Sequence, residues 1–321
     1  MERPIRAAIP VALITDDNFV MQTAVAIRSL LDSRRADTRY DIRVVMASCA
    51  ESSREKLAAF PEVTIVEAST EAYSDIRQMA HIPIACLLKF DLCELLPDCD
   101  RILYIDGDVI VRDDLTALYE WDLKGHILAA APQTVLVGTE DKKISAGILL
   151  FDAKRMRDEH ARDRLVETRR SLGDQRSMDQ QSFNLLLGDD MAYLPLRYNC
   201  CPVQVRDAAA QSGLEALNAH YGTDYESVDA AIADAAIVHF ATGSKPWLYD
   251  NIEYGDLWFQ TYKNTPYGAE PLARAHYSVW DSRIYGLKRA YKEGGIFGAI
   301  RFLWRFVQKK LFKKTVRNDW G

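Results

Sequence analysis

Residues 11–31 of the chain, VALITDDNFVMQTAVAIRSLL, contain an apolar run, a polar triplet and an amphipathic run in succession. The run from Val11 to Thr15 is rich in β-branched residues and predicts a strand, whereas Val20 to Leu31 has the apolar spacing of a helix. The triplet 16–18 forms the loop between them. A strand, a loop and a helix in this order open a βαβ unit, so the segment predicts an α/β fold.

Similar apolar runs recur along the chain, and helical patterns separate several of them. The further predicted strands are Ile42 to Ala47, Val63 to Val66, Ile102 to Ile105, Ile127 to Ala131, Gly147 to Phe151 and Ile237 to Phe240. The further predicted helices are Ser52 to Phe60, Ile84 to Leu96, Lys154 to Leu172 and Met178 to Leu187. This alternation predicts a mostly parallel central sheet, with ligands bound at the carboxyl ends of its strands where the strand order reverses.

The chain has 321 residues, of which 48% are hydrophobic and 27% charged. These are ordinary globular values that exclude disorder and indicate one large domain with an appendage. We predict a main domain over residues 1–250, a wrapping extension rich in Tyr, Trp and Pro over 251–282, and a tail over 283–321.

Two further features of the sequence predict the cellular compartment of the protein. The apolar stretches are shorter than the roughly 20 residues that a membrane-spanning helix needs, and the first residues lack the apolar core of a signal peptide. The six cysteines contain no CxxC pair, which is typical of small buried side chains in a reducing compartment. We therefore expect a cytoplasmic protein.

The strongest local motif is Asp106-Gly107-Asp108, which directly follows the predicted strand Ile102 to Ile105. Two carboxylates separated by one residue can converge on one hard cation, and Gly107 turns the backbone without a side chain that would obstruct a ligand. The alternative is a β-turn in which Asp and Gly supply only turn chemistry.

A third candidate ligand is His239, which lies at the end of the last predicted strand and precedes the flexible segment ATGSK. Imidazole is a common ligand of Mn²⁺-like metals, and Lys245 would suit a phosphate group bound to the same ion. The alternative is a histidine that caps the strand and bonds a backbone carbonyl.

Two polar segments lie at predicted element ends. Asp16, Asp17 and Asn18 could bind a nucleotide at the end of the first strand, or cap the helix that follows. Asp179 and Gln180 could direct a carboxylate and an amide toward a sugar, or Asp179 or Ser177 could cap their helix. No P-loop, Rossmann glycine motif or G-x-S-x-G is present.

Taken together, these segments resemble glycosyltransferase family 8, and within it the bacterial lipopolysaccharide and lipooligosaccharide galactosyl- and glucosyltransferases. The resemblance runs from about Ile9 to Trp247. Its segments are VALITDDNF, HIPIACLLKFDL, DCDRILYIDGDVIVRDDL, SAGILLFD, SMDQQSFN and HFATGSKPW. The resemblance implies a GT-A fold for the main domain, a UDP-sugar donor, Mn²⁺ with Mg²⁺ as the alternative, and retention of the donor's configuration.

The resemblance also implies site residues. Asp106, Asp108 and His239 correspond to metal ligands. Asp179 and Gln180 correspond to the donor-sugar and reaction-centre positions. The implied donor-binding set is Thr15, Asp16, Asn18, Lys89, Asp106, Gly107, Ser145 and Lys245, in which Asp16 and Asn18 meet the uridine and Lys245 the diphosphate.

The sequence departs from the family pattern at three places. Lys89 stands where many members have a sugar-contacting arginine, and the aromatic residue that usually precedes it is absent. Ser145-Ala146-Gly147 replaces the frequent N-A-G, and Gly243 falls one place late between His239 and Lys245. Because a guanidinium can bind two oxygens in one plane and an ammonium cannot, we expect these differences to affect the choice of donor sugar.

The predicted activity is transfer of galactose or glucose from UDP to a saccharide acceptor, such as a lipid-linked glycan or lipopolysaccharide core. A neutral amide is a poor nucleophile, so we expect same-face attack with Gln180 steadying the cationic sugar, and Asp179 is the alternative nucleophile. A different hypothesis is a catalytically silent protein of the same fold that binds nucleotide sugars or polysaccharides.

The tail differs from the rest of the chain in charge. Between Arg283 and Arg317 it has eleven Lys or Arg against one acid, while the remaining chain has 29 bases against 45 acids. Its apolar residues recur at helical spacing: Phe297, Ile300, Leu303, Trp304, Val307 and Leu311. We predict a basic amphipathic helix on an anionic membrane, at the cytoplasmic face. The alternatives are a helix packed on the main domain and, less favoured, nucleic-acid binding.

Overall fold

The computed structural model describes residues 7–76, 83–173 and 178–278, together with positions 287, 291, 295, 296, 300 and 303. Within this part of the chain no helix is both long and apolar enough to cross a membrane. The chain divides into two compact units, which are Met1–Thr242 with Asp256–Pro271, and Gly243–Gly255 with Leu272–Gly321. The boundaries predicted at 250 and 282 stay predictions.

The first unit is built on a seven-stranded sheet, and two further strands form a separate ribbon. The strands are β1 (Ile9–Thr15), β2 (Tyr40–Ala47), β3 (Val63–Ala68), β4 (Arg101–Ile105), β5 (Val109–Val111), β6 (Leu128–Pro132), β7 (Ile144–Asp152), β8 (Met191–Tyr193) and β9 (Ile237–His239). The sheet order is β3-β2-β1-β4-β7-β6-β8, and β5 pairs with β9.

Helices connect the strands. The α-helices are α1 (Val20–Ser33), α2 (Glu51–Ala58), α3 (Leu92–Leu95), α4 (Thr116–Tyr119), α5 (Ala153–Asp158), α6 (Ala161–Ser171), α7 (Gln180–Leu187), α8 (Pro202–Tyr221), α9 (Val228–Ala233) and α10 (Gly255–Lys263). The 3₁₀ helices are Glu71–Tyr73, Ile84–Lys89, Thr134–Leu136 and Leu196–Tyr198.

The strand order reverses beside β1. Strands β2 and β3 extend the sheet on one side of β1, and β4 pairs with β1 in parallel on the other. The carboxyl ends of β1 and β4, at Thr15 and Ile105, therefore lie next to each other at the edge where an open α/β sheet binds ligands. The predicted α/β fold with a mostly parallel central sheet is confirmed, and β7 is the antiparallel strand within it.

Two predicted helices are interrupted in the structure. Residues 84–96 form a 3₁₀ helix and the short α3, and Leu87, Leu88 and Lys89 are all buried. Residues 154–172 form α5 and α6, because His160 between them adopts a left-handed conformation with φ of 50°.

The core explains why the apolar runs form this sheet. Every residue of β1 except Pro10 is buried. Below the sheet the ring of Phe183 packs edge-on against Phe90 at 5.3 Å between centroids and lies 6.1 Å from Phe151. Each such buried side chain contributes about 2 kcal/mol of transfer free energy, which holds α7 against β7.

Candidate active site

Asp106, Asp108 and His239 meet at one edge of the first unit. Strand β5 follows the acidic motif and pairs with β9 in antiparallel register, with Val109 opposite His239. Nε2 of His239 lies 3.0 Å from Asp108 Oδ1 and 3.7 Å from Asp106 Oδ2. One ligand atom from each of the three residues lies within 4.8 Å of the others. The structure thus brings the predicted trio together, and two carboxylates with one imidazole suit a divalent ion of the Mn²⁺ type.

The imidazole is oriented by a residue that the sequence patterns did not reveal. Oδ1 of Asn199 lies 2.7 Å from Nδ1 of His239 in a buried hydrogen bond. With Nδ1 donating, Nε2 carries the lone pair, which is the arrangement a metal-binding histidine requires. Both ring nitrogens of His239 contact side chains, so the alternative of a strand-capping histidine that bonds a backbone carbonyl does not fit.

Gly147 lies against the trio. A Cβ at this position would stand 2.3 Å from His239 Cε1 and 3.1 Å from Asp106 Oδ2, so any side chain would displace the imidazole. The glycine in the Ser-Ala-Gly segment of β7 therefore has a steric cause.

Gly107 also has a packing role. A Cβ there would lie 2.8 Å from Thr23 Oγ1 and 3.1 Å from the ring of Phe19, both in or beside α1. The close approach of α1 explains the glycine, and its contact with a donor stays a prediction.

Lys89 lies between the acidic motif and α7. Its Nζ is 3.1 Å from Asp106 Oδ1 and 2.7 Å from Asp179 Oδ2, and it donates a hydrogen bond to the carbonyl of Ala146 at 3.0 Å. Burial alone would lower the pKa of this ammonium, but the carboxylates of Asp106 and Asp179 outweigh it and raise the pKa well above its usual value. Lys89 is therefore a buried, charged cation.

Asp106 is one of the two carboxylates that pair with Lys89. Burial raises the pKa of its carboxyl, Lys89 opposes that effect, and the neighbouring Asp108 adds to it. The hydroxyl of Tyr104 donates to Asp106 Oδ1 at 2.5 Å. Two adjacent half-buried carboxylates in this setting favour a cation between them, which is consistent with the metal hypothesis.

Asp179 and Gln180 lie at the start of α7. Asp179 stands at the N-cap position, yet its side chain makes no cap bond, contrary to the capping alternative, and Ser177 lies outside the described residues. The backbone N–H of Ala146 donates to Gln180 Oε1 at 3.1 Å. This bond identifies the oxygen side of the amide and anchors Gln180 to β7, next to the acid motif.

The residues of the polar triplet after β1 make different contacts. The carboxylate of Asp17 accepts hydrogen bonds from Ala50 N at 3.0 Å and Ser53 Oγ at 2.7 Å, and these bonds lower its pKa. Asp17 therefore caps α2. The triplet is predicted to cap α1, which has no side-chain cap. Asp16 Oδ1 accepts from the N–H of Asn18 at 3.0 Å, which folds the loop at the end of β1.

The other residues predicted to contact the donor belong to different elements of the structure. Thr15 is buried, and its hydroxyl bonds that of Thr23 at 3.1 Å. Ser145 is half-buried in β7. Lys245 lies in the second unit, where its Nζ is 5.3 Å from the centroid of the Trp247 ring. Roles of these residues and of Asp16 and Asn18 toward a donor stay predictions.

This sheet order, with an acidic pair after β4 at the switch point, is the GT-A type of fold found in glycosyltransferases. A crystal structure of the galactosyltransferase LgtC in complex with donor and acceptor sugar analogues superposes with a TM-score of 0.68 at 22% identity, covering 80% of this chain and 96% of that one. Residues 10–251 match glycosyl transferase family 8, and the chain belongs to this family.

Curated relatives agree with this assignment. Glycosyltransferase GlyF of Streptococcus pneumoniae is 25% identical over 256 residues, covering 78% of this chain and 60% of GlyF. General stress protein A of Bacillus subtilis is 22% identical over 250 residues, covering 72% of this chain and 85% of that protein. The match spans only 30% of the relative GlyD.

Proposed function

We propose that this protein transfers a hexose, galactose or glucose, from a UDP-sugar to a saccharide acceptor with retention of configuration, in a reaction that depends on Mn²⁺ or Mg²⁺. The observation that carries the proposal is the convergence of Asp106, Asp108 and His239 within 4.8 Å. The trio lies beside the Lys89–Asp179 ion pair and the anchored Gln180. Family membership supports the reaction class.

Each of the predicted site residues would have its own part in the chemistry. The trio would hold the ion, which when bound supplies Lewis-acid stabilisation of the diphosphate leaving group. Lys245 would add positive charge to the same diphosphate. Asp16 and Asn18, at the end of β1, would bind the uridine.

The mode of retention follows from the state of the two residues at α7. Asp179 is 8% exposed and its Oδ2 is paired with Lys89, so its negative charge is already stabilised and it is a weak nucleophile. Gln180 is neutral. We therefore favour attack of the acceptor from the leaving-group face, with the acceptor proton passing to the departing phosphate oxygen and Gln180 steadying positive charge on the sugar.

The acceptor that we propose is a lipid-linked saccharide reached at the cytoplasmic face of an anionic membrane, with the tail as the contact. The +10 balance of eleven bases and one acid in residues 283–317 supports this. Four apolar side chains of the tail lie in helical backbone and are 50–63% exposed: Tyr291, Ile296, Ile300 and Leu303. Ile300 and Leu303 belong to the predicted stripe, and its other members, Phe297, Trp304, Val307 and Leu311, lie outside the described residues.

Calorimetry with UDP in Mn²⁺ and in EDTA tests the proposal. We expect binding that EDTA abolishes, and slow metal-dependent hydrolysis of UDP-galactose or UDP-glucose in a donor screen. Metal-dependent binding without any hydrolysis would instead favour a silent binding protein. UDP binding that is equal in Mn²⁺ and EDTA would contradict the proposal.

A further inference from the structure

The ammonium of Lys89 is enclosed by groups of the protein. Three oxygens surround Nζ, at 2.7 Å from Asp179, 3.0 Å from the Ala146 carbonyl and 3.1 Å from Asp106. The centroid of the Tyr104 ring lies 4.8 Å away, and Lys89 is only 5% exposed. The contact with Ala146 is a hydrogen bond, and the two carboxylates lie within ion-pair distance of the ammonium.

The three oxygens belong to different parts of the fold. Asp106 follows β4, Ala146 lies in β7, and Asp179 precedes α7. Lys89 itself ends a 3₁₀ helix. One charged side chain therefore fixes the acid of the metal motif, the strand beside it and the acid at the start of α7 relative to one another. Without this cation the buried carboxylate of Asp179 and the half-buried carboxylate of Asp106 would lose their compensating charge.

We infer that Lys89 is a positioning residue, which holds Asp179 in place for the donor sugar and does not itself contact that sugar. This inference rests on the proposed function. A guanidinium at this position would have five N–H donors and could pair with both carboxylates while still reaching a ligand. The ammonium of Lys89 is enclosed by three protein oxygens within 3.1 Å and by the ring of Tyr104, so a sugar oxygen would have to displace one of these neighbours. The sugar is therefore recognised through Asp179.

A double-mutant cycle separates action through Asp179 from direct contact. We define the sugar term as kcat/KM for donor hydrolysis multiplied by the Kd of UDP, both in the same Mn²⁺ concentration and with the better of UDP-galactose and UDP-glucose. The product removes any effect that a substitution has on the binding of UDP with its metal in the ground state. The sugar term is measured for the parent, Lys89→Met, Asp179→Asn and the double variant.

If Lys89 acts through Asp179, each single substitution lowers the sugar term, by roughly 10- to 100-fold for the loss of a charged hydrogen bond. The double variant then falls no more than about threefold below the lower single variant, because both substitutions remove the same interaction. Lys143→Met, at an exposed lysine, serves as the matched control and leaves the sugar term unchanged.

A double variant in which the two losses multiply would show that Lys89 acts independently of Asp179, and would overturn the inference while leaving the proposed function intact. A parent that binds no UDP would overturn the proposed function, and the inference with it. Melting temperatures of all variants are recorded without ligand. If Lys89→Met does not fold, Lys89→Gln replaces it in the same cycle.

Discussion

Oδ1 of Asn199 lies 2.7 Å from Nδ1 of His239, so the imidazole is held through the ring nitrogen that does not face Asp108. The bond ties the residue just before Cys200 to the last residue of β9, and a backbone bond from His239 N to Cys200 O at 2.8 Å runs beside it. These two bonds fix the position of the ring.

The first prediction concerns this orienting bond. Asn199→Leu should weaken Mn²⁺-dependent UDP binding by roughly 10- to 100-fold, the usual cost of losing the outer partner of a metal-binding histidine. Asn199→Asp keeps an acceptor for Nδ1 and should retain most of the affinity. Calorimetric titration of UDP at limiting Mn²⁺ measures both. Equal Mn²⁺ dependence in the Leu variant and the parent would remove Asn199 from the site.

The second prediction concerns the trio itself. Asp108→Ala and His239→Ala should each abolish donor hydrolysis and weaken UDP binding in Mn²⁺ by more than loss of the outer partner does, because each removes a ligand atom. Asp141→Ala is the control, since that carboxylate is 65% exposed. Full turnover of either site variant at limiting Mn²⁺ would exclude that residue from the ligand set.

The third prediction contrasts two neighbouring acids. Asp16→Ala should weaken UDP binding by about tenfold, as expected for one lost hydrogen bond. Asp17→Ala should leave UDP affinity intact and lower the melting temperature, because Asp17 caps α2 through Ala50 and Ser53. If Asp17→Ala weakened UDP binding and Asp16→Ala lowered only the melting temperature, Asp17 would be the nucleotide ligand.

This contrast has a pH signature. The pKa of Asp17 is lowered by its bonds to Ser53 and Ala50, so its stabilising effect is present above the ordinary pKa of about 3.9 and disappears as pH falls through the lower folded value. The difference in melting temperature between the parent and Asp17→Ala should therefore be constant near neutral pH and shrink in acid.

The meeting of Asp106, Asp108 and His239 could be predicted from sequence because each of them follows or ends a strand. Asp106 and Asp108 follow β4, and His239 ends β9, so the topology of an open sheet brings them to one edge. Asn199 could not be predicted, because it is an isolated amide near a short 3₁₀ helix and no spacing links it to His239. The steric need for Gly147 appears only when β7 is placed beside the imidazole.

The surroundings of Lys89 were equally hidden. The pattern over residues 84–96 predicts one helix, whereas the 3₁₀ helix that actually forms turns Lys89 inward to Asp106 and Asp179. A buried lysine is unusual, and sequence periodicity assigns such residues to the solvent face. Its burial depends on two acids distant in sequence, which a local pattern cannot show.

The fourth prediction concerns Gln180. Gln180→Ala should lower kcat for donor hydrolysis by roughly 100-fold and leave the Kd of UDP nearly unchanged, because the amide would act mainly on charge that develops in the transition state. Single-turnover kinetics and calorimetry give the two quantities. Asn184→Ala is a useful comparison, since Asn184 bonds Ile144 from the next turn of α7 and should lower stability more than kcat. A loss of UDP affinity equal to the loss of kcat would show that Gln180 serves binding.

The last prediction concerns the tail. Each base near an anionic surface contributes on the order of 1 kcal/mol, and burial of exposed side chains such as Ile296 and Ile300 would add to it, so salt should weaken the attachment. A chain ending at Asp281 should still bind UDP and hydrolyse a donor, yet lose sedimentation with anionic liposomes and much of its activity on membrane-embedded acceptor. The full chain with neutral liposomes is the control. Equal liposome binding by the full and shortened chains would reject the anchor, whereas unfolding of the shortened chain would show that Leu303 and its neighbours belong to a packed helix.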